Sequence, residues 1–340
     1  MKIIQIGIAL TLFFIVTPLL AQSSIDDLVE EGIKYHDKGD YDKAIETYKK
    51  ALEINPESTL VNYEIALSYF SKGDYKLAIK YSDFILNQDA DYLIQAYMTK
   101  GSALDMLGKT KESIKLFQKA IKKTEGHYLL SYNLALNYFK INELDKAQEN
   151  LINAIEKNPN HASSHLMLAN IHHQKGNSVE TLLATHYFLF LEPNTKRSID
   201  AYQMLQENFG GNVSKDTNKP NTINIMFSTN NDSQFGAAAL MVSMLEASKS
   251  LEKNKGKTDN EMFIENTESF FKILGELKDK KSKGIWWTFY TPFFYDLANS
   301  DHLETYCNYI AQSSNEDSKK WLIENEKRLI DFDIWLKENS

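Results

Sequence analysis

Of 340 residues only one, Cys307, is cysteine, only 6 are proline and only 14 are glycine. A single thiol excludes an internal disulfide framework and any all-cysteine metal site. So few helix- and strand-breaking residues exclude collagen-like and low-complexity disordered chains. Excess positive charge is missing as well: 38 Lys and Arg stand against 46 Asp and Glu, a formal net charge of −8. Such a balance cannot neutralise a phosphate backbone, which argues against nucleic acid as a partner. Beyond residue 21 no apolar run is long enough to span a bilayer. What remains is ordinary globular material, 43% hydrophobic and 25% charged, in a chain long enough to bury a core without covalent staples.

The first 21 residues stand apart. Met1 and Lys2 carry positive charge, Ile3 to Val16 are apolar but for Gln5, Gly7 and Thr11, and the segment leaves through Thr17, Pro18 and Ala21. That order is the signature of a secretory signal peptide cleaved after Ala21; an uncleaved anchor is the alternative. No cysteine follows Ala21, so a lipid-anchored form is not expected. The mature chain is expected in the bacterial envelope, periplasmic or attached to the outer envelope, or secreted.

A repeat then organises half of the chain. Small residues recur at Gly32, Ala66, Gly101, Ala135 and Ala169, spaced 34, 35, 34 and 34 apart. A second small set follows at Ala44, Ala78, Ser113, Ala147 and Thr181, with Gly39, Gly73, Gly108, Asn142 and Gly176 between the two sets. Gly and Asn are the residues that tolerate a left-handed turn. Small residues let two antiparallel helices approach, a ring fills the wedge, and the turn residue reverses the chain. One such hairpin cannot bury its own apolar face, so hairpins must stack. Five units are expected, at 25–58, 59–93, 94–127, 128–161 and 162–194, closed by a helix over 195–209 with Ile199, Tyr202 and Leu205 on one stripe. The fifth unit is the least regular, with Thr181 and Phe188 at customarily small positions.

The pattern resembles the tetratricopeptide repeat family, and Tyr41 to Pro56, YDKAIETYKKALEINP, is close to that family's consensus second helix. The resemblance implies an all-α, right-handed helix-turn-helix solenoid of about five units over 25–209, acting as a non-enzymatic protein–protein interaction scaffold. It also implies that first helices line a concave groove with their second, fifth, ninth and twelfth positions. Repeat two then supplies Leu60, Tyr63, Leu67 and Phe70, and repeat four supplies Leu129, Tyr132, Leu136 and Phe139. The other repeats are more polar there: Asp26, Val29, Ile33 and His36; Gln95, Met98, Ser102 and Asp105; Ser163, Leu166, Asn170 and His173. Two apolar bands, with Met98 between them, suit an amphipathic helix or an extended apolar peptide. Fifth positions Val29, Tyr63, Met98, Tyr132 and Leu166 include no lysine, which removes the family's carboxylate clamp. The competing expectation is that the protein's own C-terminal half fills the groove.

Residues 210–222 are polar and read as a linker to a smaller, mostly helical C-terminal domain at 223–340. Ile223, Ile225 and Phe227 permit one short strand, and a final helix is expected from about Glu316 to Lys337. Residues 286–295, WWTFYTPFFY, hold seven aromatics in ten. Trp286, Phe289, Tyr290, Phe293, Phe294 and Leu297 share one helical face and are expected in the core. Pro292 either disturbs this helix or, with Thr291, caps a fresh one. Trp287 and Tyr295 fall off the stripe and are expected to be exposed. A lipid- or glycan-binding surface there, in a carrier or envelope-assembly factor, is the alternative function.

Catalytic constellations are absent from the sequence. Gly108-Lys109-Thr110 and Gly256-Lys257-Thr258 lack the upstream glycine of a phosphate loop, having Ala103 and Leu251 instead. Asn230, Asn231, Asp232 and Ser233 fit helix capping better than calcium. His161 and His165 are spaced for one helix face, yet no matching carboxylate or cysteine accompanies them. His165 and His172 occupy positions where other repeats place packing rings, and Cys307 lies on an apolar stripe. No enzyme, no cofactor and no metal site is expected, and the partner is a protein or peptide.

Overall fold

The computed structural model describes residues 24–88, 91–210, 213–215, 222–225, 234–249, 251 and 254–339. The signal segment 1–21, most of the polar stretch 210–222, Phe227, and the Asn230 to Ser233 cluster lie outside the described residues. The chain divides into two compact units, residues 1–157 and 158–340. The division falls between the fourth and fifth repeats, not at the polar stretch 210–222.

The first unit is four helical hairpins: α1 (24–37) with α2 (Tyr41–Ile54), α3 (Thr59–Lys72) with α4 (Tyr75–Gln88), α5 (Leu93–Met106) with α6 (Thr110–Lys123), and α7 (Tyr128–Lys140) with α8 (Leu144–Lys157). Each hairpin closes as the small-residue period demands. α3 stops at Gly73, whose φ of 90° lets its N–H reach back to the Phe70 and Tyr69 carbonyls. Asn142, at φ 59°, makes the same left-handed exit after α7. Inside the hairpins, Ala44, Ala66, Ala78, Ala135 and Ala147 have no exposed surface. Where the small residue is Gly101, an added Cβ would sit 2.2 Å from Phe117 Cζ, so the ring occupies the space a side chain would need. Buried Ser113 of α6 donates to the Gly101 carbonyl of α5 at 2.8 Å and accepts from Asn137 of α7 at 2.6 Å. That chain of bonds ties one hairpin to the next without leaving a buried polar group unsatisfied.

The second unit begins with the fifth hairpin, α9 (Ala162–Lys175) and α10 (Ser178–Leu191), followed by α11 (Lys196–Gly210). A small antiparallel pair, β1 (Val213–Lys215) and β2 (Ile223–Ile225), joins it to α12 (Gly236–Ser248) and α13 (Asp259–Leu277). Part of the expected linker is therefore a strand. A π-helical turn (Trp286–Tyr290) then runs into α14 (Thr291–Ala298), α15 (Leu303–Ala311), α16 (Glu316–Glu324) and α17 (Glu326–Glu338). The single final helix expected over 316–337 is thus broken. Asn325 leaves helical geometry at φ −122°, ψ 36°, and its side chain donates to the Trp321 carbonyl at 2.8 Å, ending α16. In α11 the buried stripe is Ala201, Met204, Leu205 and Phe209; Ile199 is exposed and Tyr202 half-buried.

α10 explains the irregularity of the fifth repeat. Its eleven consecutive residues Val179 to Leu189 are all buried. An ordinary repeat helix keeps one polar face. Here the π turn and α15 pack on α10 as well as α9 and α11 do; Phe188, at the position that Ala51, Ala120 and Ala154 hold in other repeats, is fully buried as they are. The two buried hydroxyls on this helix bond one turn back, Thr181 to the Asn177 carbonyl and Thr185 to the Thr181 carbonyl, both at 2.7 Å.

Gly101→Ala is expected to cost about 1–3 kcal/mol in urea unfolding, the range for overpacking a filled core. Gly236→Ala, where the new methyl meets nothing within 4 Å, is the control and is expected to cost nothing measurable.

Candidate binding groove of the first unit

The nine groove residues are placed by simple helical geometry. On α3, Val61, Ile65, Ala66 and Tyr69 turn inward and are buried. Leu60, Tyr63, Leu67 and Phe70 lie on the adjoining face and are half-buried. α7 repeats this: Leu130, Leu134, Ala135 and Tyr138 are buried, while Leu129, Tyr132, Leu136 and Phe139 are half-buried, as is Met98 on α5. Apolar side chains left half covered retain area that a partner could remove from water.

Two polar residues of the same face, His36 and Asp105, are engaged within the unit. His36 Nδ1 shares a 2.8 Å hydrogen bond with Ser68 Oγ, and its ring packs edge-on to Tyr41. Asp105 accepts from Thr110 Oγ1 at 2.6 Å and from Lys140 Nζ at 3.0 Å on both oxygens. Burial holds the Glu64 carboxyl above the usual carboxylate range, and it accepts from the Tyr48 hydroxyl at 3.4 Å. Burial, with Glu64 beside it, likewise raises the Tyr63 phenol. Chemically, this face can offer apolar and ring contacts and little proton transfer.

One residue the sequence did not single out joins the first band. Tyr92 stacks on Tyr63, with ring centroids 5.5 Å apart and planes 15° from parallel. It stands at the N-cap of α5 in the left-handed region, φ 68°, ψ 17°. A bulky side chain rarely adopts that conformation. Its position before a helix, where Ser, Asp or Asn is usual, was the available signal.

The other candidate surface changes. Trp287, expected to be exposed, is 3% exposed. It stacks on Phe235 at 4.7 Å and its Nε1 donates to Gln234 Oε1 at 2.5 Å. Tyr295 is half-buried, lying over Gly275 so closely that a Cβ there would be 1.9 Å from the ring. The cause is the π turn. Thr291 N–H reaches Trp286 O, one residue further than in an α-helix, just before Pro292, which has no N–H to give. The widened turn rotates Trp287 inward. Trp286, Tyr290, Phe294 and Leu297 are core, as their stripe predicted, whereas Phe289 and Phe293, expected with them, are half-buried.

His165 and His172 pack, as their repeat positions suggested, and His186 is buried with them. His165 Nε2 bonds the Pro159 carbonyl at 2.8 Å and its Nδ1 the Tyr290 hydroxyl at 2.6 Å. His172 lies edge-on to Trp286, and His186 Nδ1 bonds the Tyr306 hydroxyl at 3.0 Å. Burial pushes His165 down to about 4 and His172 and His186 to about 3. Burial also raises the Cys307 thiol far above its ordinary value, which keeps it a neutral, poorly nucleophilic group. Among the described residues no cluster of three or more His, Cys, Asp or Glu is arranged to hold a metal, and no helix is long and apolar enough to cross a membrane. On α9, Asn170 and His173 are exposed and Ser163 and Leu166 half-buried, so within the second unit the C-terminal helices leave these groove positions uncovered.

Stacked helical hairpins with a half-buried apolar face define a helical repeat scaffold. Family models agree: one described as TPR repeat matches residues 32–73, and two described as tetratricopeptide repeat match 94–122 and 132–180. The matched segments of this chain are tetratricopeptide repeats. The chain is 33% identical to heat shock protein STI1 of Saccharomyces cerevisiae over 97 residues, 27% of this chain and 16% of that one. It is 24% identical to TPR repeat-containing protein MJ1428 of Methanocaldococcus jannaschii over 152 residues, 42% of this chain and 27% of that one. A crystal structure of MamA protein aligns with 50% of this chain and 93% of its own, at 26% identity and a TM-score of 0.40. The chain spans about a quarter or less of the length of these two curated relatives.

The strain at Tyr92 is measurable. Tyr92→Asn, which suits both an N-cap and a left-handed backbone, is expected to be more stable in urea than Tyr92→Val by about 1–2 kcal/mol. Equal stabilities would show that the backbone relaxes out of the left-handed region.

Proposed function

We propose that the protein is an exported, non-catalytic scaffold of the bacterial envelope, and that its first-unit groove binds an apolar segment of a protein partner. The observation that carries this reading is the contrast along one face. Leu60, Tyr63, Leu67 and Phe70, Met98, and Leu129, Tyr132, Leu136 and Phe139 stay half-buried, whereas His36 and Asp105 are spent on internal bonds. Rigid rings are economical anchors because few rotatable bonds are frozen on binding. No cofactor and no nucleic acid take part. The character of the first 21 residues supports export.

The test is capture from envelope extract with residues 22–340 as bait, beside a Tyr63→Ala/Tyr132→Ala form. Each substitution is expected to weaken a captured partner's binding by about 1–3 kcal/mol, the range for losing a buried ring anchor. A partner held equally by both forms would move the site off the groove.

A further inference from the structure

The second unit holds three buried histidines, all from the fifth hairpin, and each meets an aromatic residue from the helices that follow. His165 of α9 bonds the Tyr290 hydroxyl and lies 6.0 Å from Phe289. His172 of α9 faces Trp286 edge-on at 4.9 Å. His186 of α10 is enclosed by Phe209, Phe263, Phe271, Phe294 and Tyr306, the nearest centroid, Phe271, at 4.9 Å. We propose that the packing of the π turn and α13–α15 on the α9–α10 hairpin is an acid-released contact, opened when His165, His172 and His186 take up protons.

In the closed form His172 and His186 have no acceptor for a second proton, and His165 could take one only by reversing its bond to Tyr290. The Pro159 carbonyl requires a proton on His165 Nε2, so Nδ1 accepts from Tyr290. Tyr306 donates to the His186 carbonyl at 3.2 Å, so it accepts from Nδ1 of the same residue. His186 Nε2 is then a bare acceptor, buried without a partner, and a proton added there would find only rings. His172 Nδ1 faces Asn177 Nδ2 at 3.1 Å, and its Nε2 is buried without a partner. The titratable and charged groups around the three are the Tyr187 and Tyr290 phenols and His161 at His165, Lys175 at His172, and the Tyr306 phenol at His186. None of these is a carboxylate, and both Lys175 and His161 oppose added positive charge.

The sign follows from burial. Desolvation lowers all three imidazoles, so above their ordinary value of 6.5 the closed and released forms are both neutral and the contact is intact. Below it the released form binds protons that the closed form excludes, and stability falls as pH falls, to about 4 for the His165 share and on to about 3 for those of His172 and His186. Glu180 of α10 works the other way, because burial raises its carboxyl, so it retains up to one proton when closed. Net uptake is two to three protons, a rise in the release constant of about a hundredfold to a thousandfold per pH unit.

All four tryptophans, Trp286, Trp287, Trp321 and Trp335, lie in the second unit, and Trp286 and Trp287 are the buried pair at the contact, so indole emission of the full chain reports the second unit and loss of burial at the π turn. Acid titration is expected to shift emission to the red between pH about 6.5 and 4, with that slope, while most far-ultraviolet helical signal persists. His172→Phe/His186→Phe keeps rings in place and is expected to lower the slope by about two protons and move the midpoint to lower pH. A parent slope below one proton, a collapse of helical signal together with emission, or a variant midpoint equal to the parent's would overturn the proposal. The parent slope decides the matter alone if the double variant does not fold.

Discussion

A two-helix hairpin has more apolar surface than it can hide. Every other feature of this chain follows from how each hairpin disposes of that surface. Four hairpins hide it in the same way, by close approach at Gly32, Ala66, Gly101 and Ala135 with rings such as Tyr48 and Phe117 filling the space. The fifth does it differently. α10 is buried all round because helices from beyond the repeats pack on the side that a terminal hairpin would otherwise expose to water. A polar capping repeat is the usual remedy; here the remedy is a second set of helices.

That difference decides what could be read from the sequence. The 34-residue period reports contacts inside and between repeats, so hairpin limits, turn residues and the half-buried faces of α3 and α7 were legible. Thr181 and Phe188 were visible as irregular, but a period carries no information about what packs outside it. Composition changes at the polar stretch 210–222, whereas the division between compact units at residue 158 is marked by no change of composition. Trp287 was misplaced for a related reason. A regular 100° step puts it off the apolar stripe, and the π turn before Pro292 adds a residue to one turn and swings it into the core. Asn325 shows the same limit on a smaller scale: an apolar stripe runs on across it while the backbone does not.

The groove was legible as a pattern, Leu-Tyr-Leu-Phe twice, because surface position depends only on helical phase. Tyr92 was not, since its contribution depends on a backbone conformation that no periodicity encodes. The histidines fall between. Their positions marked them as packing rings, and the packing is what denies them protons. The two units thus differ in what they do with their rings: α3 and α7 keep an apolar face half-buried, while the second unit encloses neutral imidazoles among aromatic side chains.

The central claim is that the fifth hairpin folds with the helices that follow it. Hydrogen exchange under native conditions tests it most directly, since amides of one cooperative unit open with one free energy. The account predicts that α10 amides exchange at the same opening free energy as those of α13 and α15. Protection of α10 that follows α7 and α8, persisting after α13 and α15 have exchanged, would contradict it.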